Sequence, residues 1–234
     1  MNTWHDNSGI FLFDKPYTWT SYDVINKIKS IFKYRFHSIP KIGHAGTLDP
    51  LATGLLIICI GKETKNIESF STFDKEYLAT INLSGTTLSY DLEKPIVQFY
   101  DTSTITETKI LNTLSLFIGE QYQIPPAYSA KWKNGERAYK IARQGMSPHL
   151  TPVFVNIYSL ELVQFQSPEI TVRILCSKGT YIRALVRDIG EKLSGGAYLT
   201  KLQRTAIGPY SLTQTISFEK FEEMLKNQNM ANNL

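Results

Sequence analysis

The densest chemical signal in the chain is the run Gly43-His44-Ala45-Gly46-Thr47-Leu48-Asp49-Pro50-Leu51-Ala52-Thr53-Gly54. Its glycines permit positive φ and close approach of a ligand. Pro50 biases Asp49 toward an extended backbone. Together they can hold one carboxylate at a fixed angle between apolar flanks. A tight loop whose aspartate only closes an Asx turn uses the same residues, and spacing alone leaves both readings open. No Gly-Lys-Ser/Thr follows, so the run is not a Walker-type phosphate loop.

Other segments add ligand-type chemistry. Cys176-Ser177-Lys178-Gly179-Thr180-Tyr181-Ile182-Arg183 leaves an apolar strand, turns at Gly179 and enters a helix whose free N–H groups suit an anion. Arg183 falls in the first turn of that helix; an ordinary surface arginine is the alternative. The segment from Pro125 to Tyr139 interleaves Lys131, Trp132, Lys133, Arg137 and Tyr139. Loop or single-stranded RNA needs such cations and rings for its phosphates and bases. An amphipathic loop–helix packed on the body is the alternative. Asp74-Lys75-Glu76-Tyr77 enters a strand and is uninformative by itself.

Periodicity supplies the elements that must position these groups. Residues 10–13 read as a strand and Asp14-Lys15-Pro16 as a turn. Thr20 and Ser21 are N-cap candidates for a helix carrying Val24, Ile28, Ile31 and Phe32. Residues 43–54 read as a loop, followed by a buried strand over 55–60; residues 77–83 alternate as another. Thr106 caps a helix with Ile110, Leu111, Leu114 and Phe117 on one face, stopped by Gly119. Residues 136–144 make a short basic helix, and 153–165 with 170–176 a strand pair. Ile182, Leu185, Val186, Ile189 and Leu193 mark a further helix. A last strand near 198–204 follows Gly195-Gly196. Strands and helices mix without a βαβ rhythm, which favours α+β, and the basic segment 125–152 reads as an insertion.

The chain has 234 residues, 42% hydrophobic and 20% charged. This excludes a disordered chain and fits one large domain or two small lobes. Its longest unbroken apolar run is 55–60, far short of the about 20 residues that cross a bilayer. Residues 1–9 show no apolar signal region. Cys59 and Cys176 lie in separate apolar runs, without Cys-x-x-Cys or His-x-x-x-His. Zinc and a disulfide framework are therefore not expected, and the compartment reads as reducing cytoplasm. The net charge of +4 is segregated: residues 14–47, 121–152 and 173–204 carry excesses of +4, +4 and +5, offset mainly by 61–120. Such segregation points to a polyanion, with ordinary solvated surface as the alternative.

In order, over residues 9–225, these segments resemble the TruB-type pseudouridine synthases, the bacterial family acting on uridine 55 of tRNA. The resemblance rests on Asp14-Lys15-Pro16 with Thr20-Ser21, the run 43–54, Lys75-Glu76-Tyr77 and Tyr128-Ser129-Ala130. It rests equally on Arg137-Ala138-Tyr139 with Ala142-Arg143, and on Lys178-Gly179-Thr180-Tyr181-Ile182-Arg183. It implies a pseudouridine-synthase-like α+β fold: a mixed, mainly antiparallel sheet flanked by helices, with a basic loop–helix insertion at about 125–152. One catalytic domain over 9–225 is expected between tails at 1–8 and 226–234.

The resemblance further implies isomerisation of the T-loop uridine after base flipping, with no cofactor and no essential metal. It implies the tRNA T-arm stem-loop as partner, and neither a membrane nor an obligate protein partner. By motif match, Asp49 is the implied nucleophile and Arg183 its guanidinium partner. Tyr77 is the implied ring on the uracil and a candidate for moving the C5 proton. His44 is implied to fill the stacking space left by the flipped base, and Tyr181 and Leu202 to line the pocket. Lys15, Lys131, Lys133 and Arg143 are the RNA-contact candidates. The sequence departs from the family pattern at Thr18, Trp132, Tyr198 and Gln203, where Gly, Lys, His and Arg are usual, and Asp91 lacks the glycine usual two residues on. Many members continue into a small C-terminal RNA-binding domain; here only one helix is expected after the last strand.

Overall fold

An unbroken apolar strand such as 55–60 is stable only with both faces covered. The computed structural model, which describes residues 2–5, 8–133, 135–193 and 195–231, shows how that cover is built. The first elements are β1 (Thr3–His5), β2 (Ser8–Lys15), α1 (Ser21–Phe36), β3 (Ile42–Ala45), β4 (Ala52–Ile60) and α2 (Ile67–Thr72). Then come β5 (Lys75–Asn82), β6 (Gly85–Thr87), β7 (Ile96–Phe99), α3 (Glu107–Ser115), β8 (Gly119–Gln123), β9 (Trp132–Lys133), β10 (Glu136–Arg137) and α4 (Ala138–Arg143). The last are β11 (Val153–Gln166), β12 (Glu169–Cys176), α5 (Ile182–Leu193), β13 (Tyr198–Ile207), β14 (Tyr210–Ser211) and α6 (Phe218–Ala231). The chain divides into two compact units, Met1–Lys75 with Gln203–Leu234, and Glu76–Leu202.

In the first unit the strand order is β1-β2-β4-β13, with β14 on β13 and β3 on β4. β4 runs antiparallel to both β2 and β3, pairing Ile58 with Phe11 and Ile57 with Ala45. Alternation along the strands feeds two cores. Phe11, Phe13, Leu56, Ile58 and Ile60 pack with Val24, Ile28 and Phe32 of α1 and Phe221 and Leu225 of α6. Ile10, Leu12, Leu55, Ile57 and Cys59 pack with Ala45, Phe70 and Ile207. α1 opens on a capping box: Thr20 Oγ1 accepts from Asp23 N at 3.1 Å, and the Asp23 carboxylate accepts from Thr20 N at 2.8 Å.

In the second unit the order is β13-β5-β12-β11-β8. β11 is antiparallel to both β12 and β8. Ala79 and Ile81 of β5, Val155 and Ile157 of β11, and Ile170, Val172 and Ile174 of β12 are buried at period two. α3 packs on β11 and α5. No helix among the described residues is long and apolar enough to cross a membrane.

The structure differs from the sequence reading in places. Asp14 and Lys15 continue β2; the turn falls at Tyr17 and Thr18. Thr18 takes φ 68 there, a strained value for a β-branched residue. Residues 43–45 belong to β3 and 52–54 to β4, so the loop is only 46–51. The insertion contains the β9–β10 hairpin, and α4 is shorter than the helix expected over 136–144. On α3, Leu111 is 48% exposed and Thr113 is buried, because a 3.6-residue period aligns 113 and 114, not 111, with Ile110. Residues 3–5, expected as tail, pair with β2, and α6 runs to Ala231. Residues 1, 6, 7 and 232–234, also expected in tails, lie outside the described residues.

Candidate active site

In the first unit a six-residue loop carries the half-buried Asp49 between β3 and β4, and its backbone is tied down on both sides of that residue. Ser21, buried at the start of α1, accepts from Leu48 N at 2.9 Å and donates to Leu48 O at 3.3 Å. Lys15 Nζ donates to Pro50 O at 3.2 Å, Pro16 O at 2.9 Å and Trp19 O. Arg204 Nη2 donates to Gly46 O at 3.0 Å, and its Nε to Leu55 O at 2.8 Å. Gly54 N donates to Asp14 Oδ1 at 3.0 Å, and Ala52 N to Asp49 O at 3.1 Å. Gly54 has φ 106, and a Cβ there would lie 2.3 Å from Arg204 O. Only a residue without a Cβ lets the two backbones meet.

Lys15 was expected among the RNA contacts, but it is fully buried. Its ammonium is spent on three carbonyls; it serves the loop, not a phosphate. Burial lowers its pKa from 10.5 to about 8, with Asp49 the leading opposing influence. Between these values the unfolded chain holds a proton that the folded chain has released. Stability contributed by this site therefore rises with pH across the window, by up to about 1.4 kcal/mol per unit. Urea denaturation at about pH 7.5 and 9.5 should show the parent gaining stability relative to Lys15→Met. A difference that stays flat would refute the assignment.

His44 lies on β3, half-buried. Its Nδ1 is buried without a hydrogen-bond partner among the described residues. Burial, reinforced by Arg204, lowers its pKa, so the ring is neutral at neutral pH.

The second unit holds Arg183, which is buried near the start of α5. Its Nη1 donates to Ser89 O at 3.1 Å, its Nη2 to Tyr128 O at 2.8 Å, and its Nε lies 3.6 Å from Asp91 Oδ2. A planar guanidinium gripped from three residues has a fixed direction. The alternative of an ordinary surface arginine is excluded by this burial. Tyr181, half-buried, is anchored by its N donating to Gln123 Oε1 at 2.8 Å. Tyr77 is buried on β5, and Leu202 half-buried on β13. In the insertion Lys131 and Lys133 are half-buried. Arg143 is exposed, 3.3 Å from Glu93 and 5.3 Å from the Tyr139 ring centroid. Arg137 lies 4.3 Å from the ring centroid of the exposed Trp132. Sequence reasoning missed the anchoring by Ser21, Arg204 and Asp14, and the grip of Ser89, Asp91 and Tyr128 on Arg183.

The family model for the N-terminal domain of TruB family pseudouridylate synthases matches residues 29–182, well over half of the chain. The chain belongs to the TruB family of pseudouridylate synthases. A second model, the C-terminal domain of tRNA pseudouridylate synthase B, matches residues 183–234. Family C-terminal sequence is therefore present from residue 183 on, where a helix, the last strand and one further helix were expected and no C-terminal domain; it covers most of α5 and all of β13, β14 and α6. This TruB-family chain is 50% identical to the tRNA pseudouridine synthase B of Phocaeicola vulgatus over 220 residues, 94% of each chain. It is 45% identical to that of Flavobacterium johnsoniae over 219 residues, 93% of this chain and 96% of the relative. A solved Cbf5-Nop10-Gar1 complex contains a similar chain, with TM-score 0.70 and 28% identity, covering 93% of this chain and 54% of that one. An H/ACA RNP bound to a substrate RNA containing 2′-deoxyuridine contains another, with TM-score 0.66 and 26% identity, covering 92% and 52%. The TruB-family chain thus spans about half the length of those solved chains. The expected pseudouridine-synthase-like α+β fold is borne out.

Proposed function

We propose that the chain converts uridine 55 in the T loop of tRNA to pseudouridine, with Asp49 as nucleophile on a base flipped out of its stack. The observation that carries this reading is the fixed presentation of Asp49, its neighbours Leu48 and Pro50 both tethered by buried side chains. A nucleophile held in place loses little entropy on attack. The relatives named tRNA pseudouridine synthase B supply the substrate class, and a tRNA substrate is compatible with work in the cytoplasm. In the reaction the N1–C1′ bond breaks and a C5–C1′ bond forms. C5 loses a proton and N1 gains one, so no co-reactant is consumed. An ionised carboxylate shielded from water supplies the nucleophile, and Arg183 is assigned the cation that offsets its desolvation. Tyr77 is assigned the uracil stack and the C5 proton. Tyr181 and Leu202 line the base, and the neutral His44 ring takes the vacated stacking position.

The test is incubation with unmodified tRNA and with an isolated T-arm stem-loop, followed by mapping of pseudouridine. Both should be modified at position 55 alone. The basic blocks lie within residues 14–204, which fits a footprint on the T arm. The two kcat/KM values should therefore differ by less than about tenfold, or 1.4 kcal/mol. Modification elsewhere, or a hundredfold preference for whole tRNA, would overturn the T-arm assignment. Replacing Lys131, Lys133 and Arg143 with Ala should flatten the salt dependence of binding by about 0.7–0.9 in log–log slope per lost phosphate contact. An unchanged slope would make the insertion ordinary surface.

A further inference from the structure

Two of the groups that grip Arg183, the Ser89 carbonyl and the Asp91 carboxylate, come from one turn whose centre, Tyr90, has φ 60. An L-residue is strained there and stays only where its surroundings over-determine it. Hydrogen bonds fix the backbone around it. Tyr90 N donates to Thr87 O at 3.2 Å, and Leu199 N donates to Tyr90 O at 3.0 Å. Thr87 Oγ1 donates to Asp91 O at 2.7 Å, and Glu93 N to Asp91 Oδ1 at 2.9 Å. The half-buried Tyr90 side chain, in contrast, borders a cleft of about 220 Å³ that is also lined by Thr86, Val97, Tyr100 and Glu191. The ring is only partly covered on that side. Against it stands the Arg187 guanidinium, 5.6 Å from the ring centroid. Arg187 is itself held by Asp188, Nε to Oδ1 at 2.7 Å. It follows Arg183 by four residues, on the same face of α5.

We propose that Tyr90 and Arg187 are positioning residues for Arg183. The cation–ring contact, added to these hydrogen bonds, helps to hold Tyr90 in its left-handed conformation and so aims the Ser89 carbonyl and the Asp91 carboxylate at the guanidinium. If Tyr90 relaxed to negative φ, both acceptors would rotate away. Arg183 would then keep Tyr128 O alone of the three groups and lose its fixed direction. The inference rests on the reading that Arg183 serves the reaction.

The test is a substitution series assayed in single turnover at saturating RNA, with RNA affinity and Tm measured alongside. Tyr90→Phe keeps the ring and should react within about twofold of the parent. Tyr90→Ala keeps the strain and loses the ring, and should slow the reaction roughly 30-fold, the scale of a misplaced catalytic group. Tyr90→Gly removes ring and strain together and should fall between the two, because glycine adopts positive φ freely. Arg187→Met should match Tyr90→Ala, and Arg187→Lys should recover part of the loss. RNA affinity should stay within about threefold of the parent throughout, since the grip sets direction, not binding area. Glycine reacting faster than alanine is a readout that loss of packing does not produce. Equal rates in all folded variants, with only Tm moving, would overturn the proposal. Arg183→Lys separates the proposal from its premise. Full activity of Arg183→Lys would sink the reading of Arg183 itself. An inactive Arg183→Lys beside a fully active Tyr90→Ala would sink the positioning role alone.

Discussion

An Asp49→Asn protein is expected to lose pseudouridine formation by at least about 10⁴-fold while binding RNA within a few fold of the parent. Asparagine fills the same volume and supplies no anionic nucleophile. The loop should keep its shape, because Ser21, Lys15, Arg204 and Asp14 hold the backbone of residues 48, 50, 46 and 54. Asp49 raises the Lys15 pKa, so the variant should also show Lys15 titrating below its parent value. Single-turnover formation of pseudouridine at a near-normal rate would remove Asp49 from the mechanism.

The largest stability effect is expected at Gly54. Alanine there meets the O and N of Arg204 at 2.3 and 2.5 Å, at φ 106. Both backbones are held, since Gly54 pairs with Lys15 of β2 while Arg204 lies within β13, hydrogen-bonded to β4 and β14. Overpacking and backbone strain together should cost about 4 kcal/mol. Gly46→Ala is the control. Its φ is 91, but the nearest atom is a guanidinium nitrogen 3.5 Å away, so it should lose only the strain, about 1–2 kcal/mol. Urea denaturation of both variants checks the difference. A Gly54→Ala loss no larger than that of Gly46→Ala would contradict the close approach of the two backbones.

Much of the molecule was legible in its residues. The caps at Thr20 and Thr106, the strand pair 153–166 and 169–176, and the helix from Ile182 follow from side-chain identity within a few positions. The run 55–60 is apolar throughout because the two cores of the first unit cover both its faces. The run 43–54 and the Lys178–Arg183 segment also marked the family by themselves, because glycine, proline and aspartate at fixed spacing carry local conformational information. What only the tertiary structure decided is which side chains hold those segments in place. Arg204 reaches across 158 and 149 residues to Gly46 and Leu55, and Arg183 across 94 and 55 to Ser89 and Tyr128. Lys15, read as a phosphate contact, turns inward to Pro50 instead. Each of these acceptors is a backbone carbonyl. Every residue has one, whatever its side chain, so the partner of a buried lysine or arginine leaves no mark in the sequence and is chosen only when the chain folds.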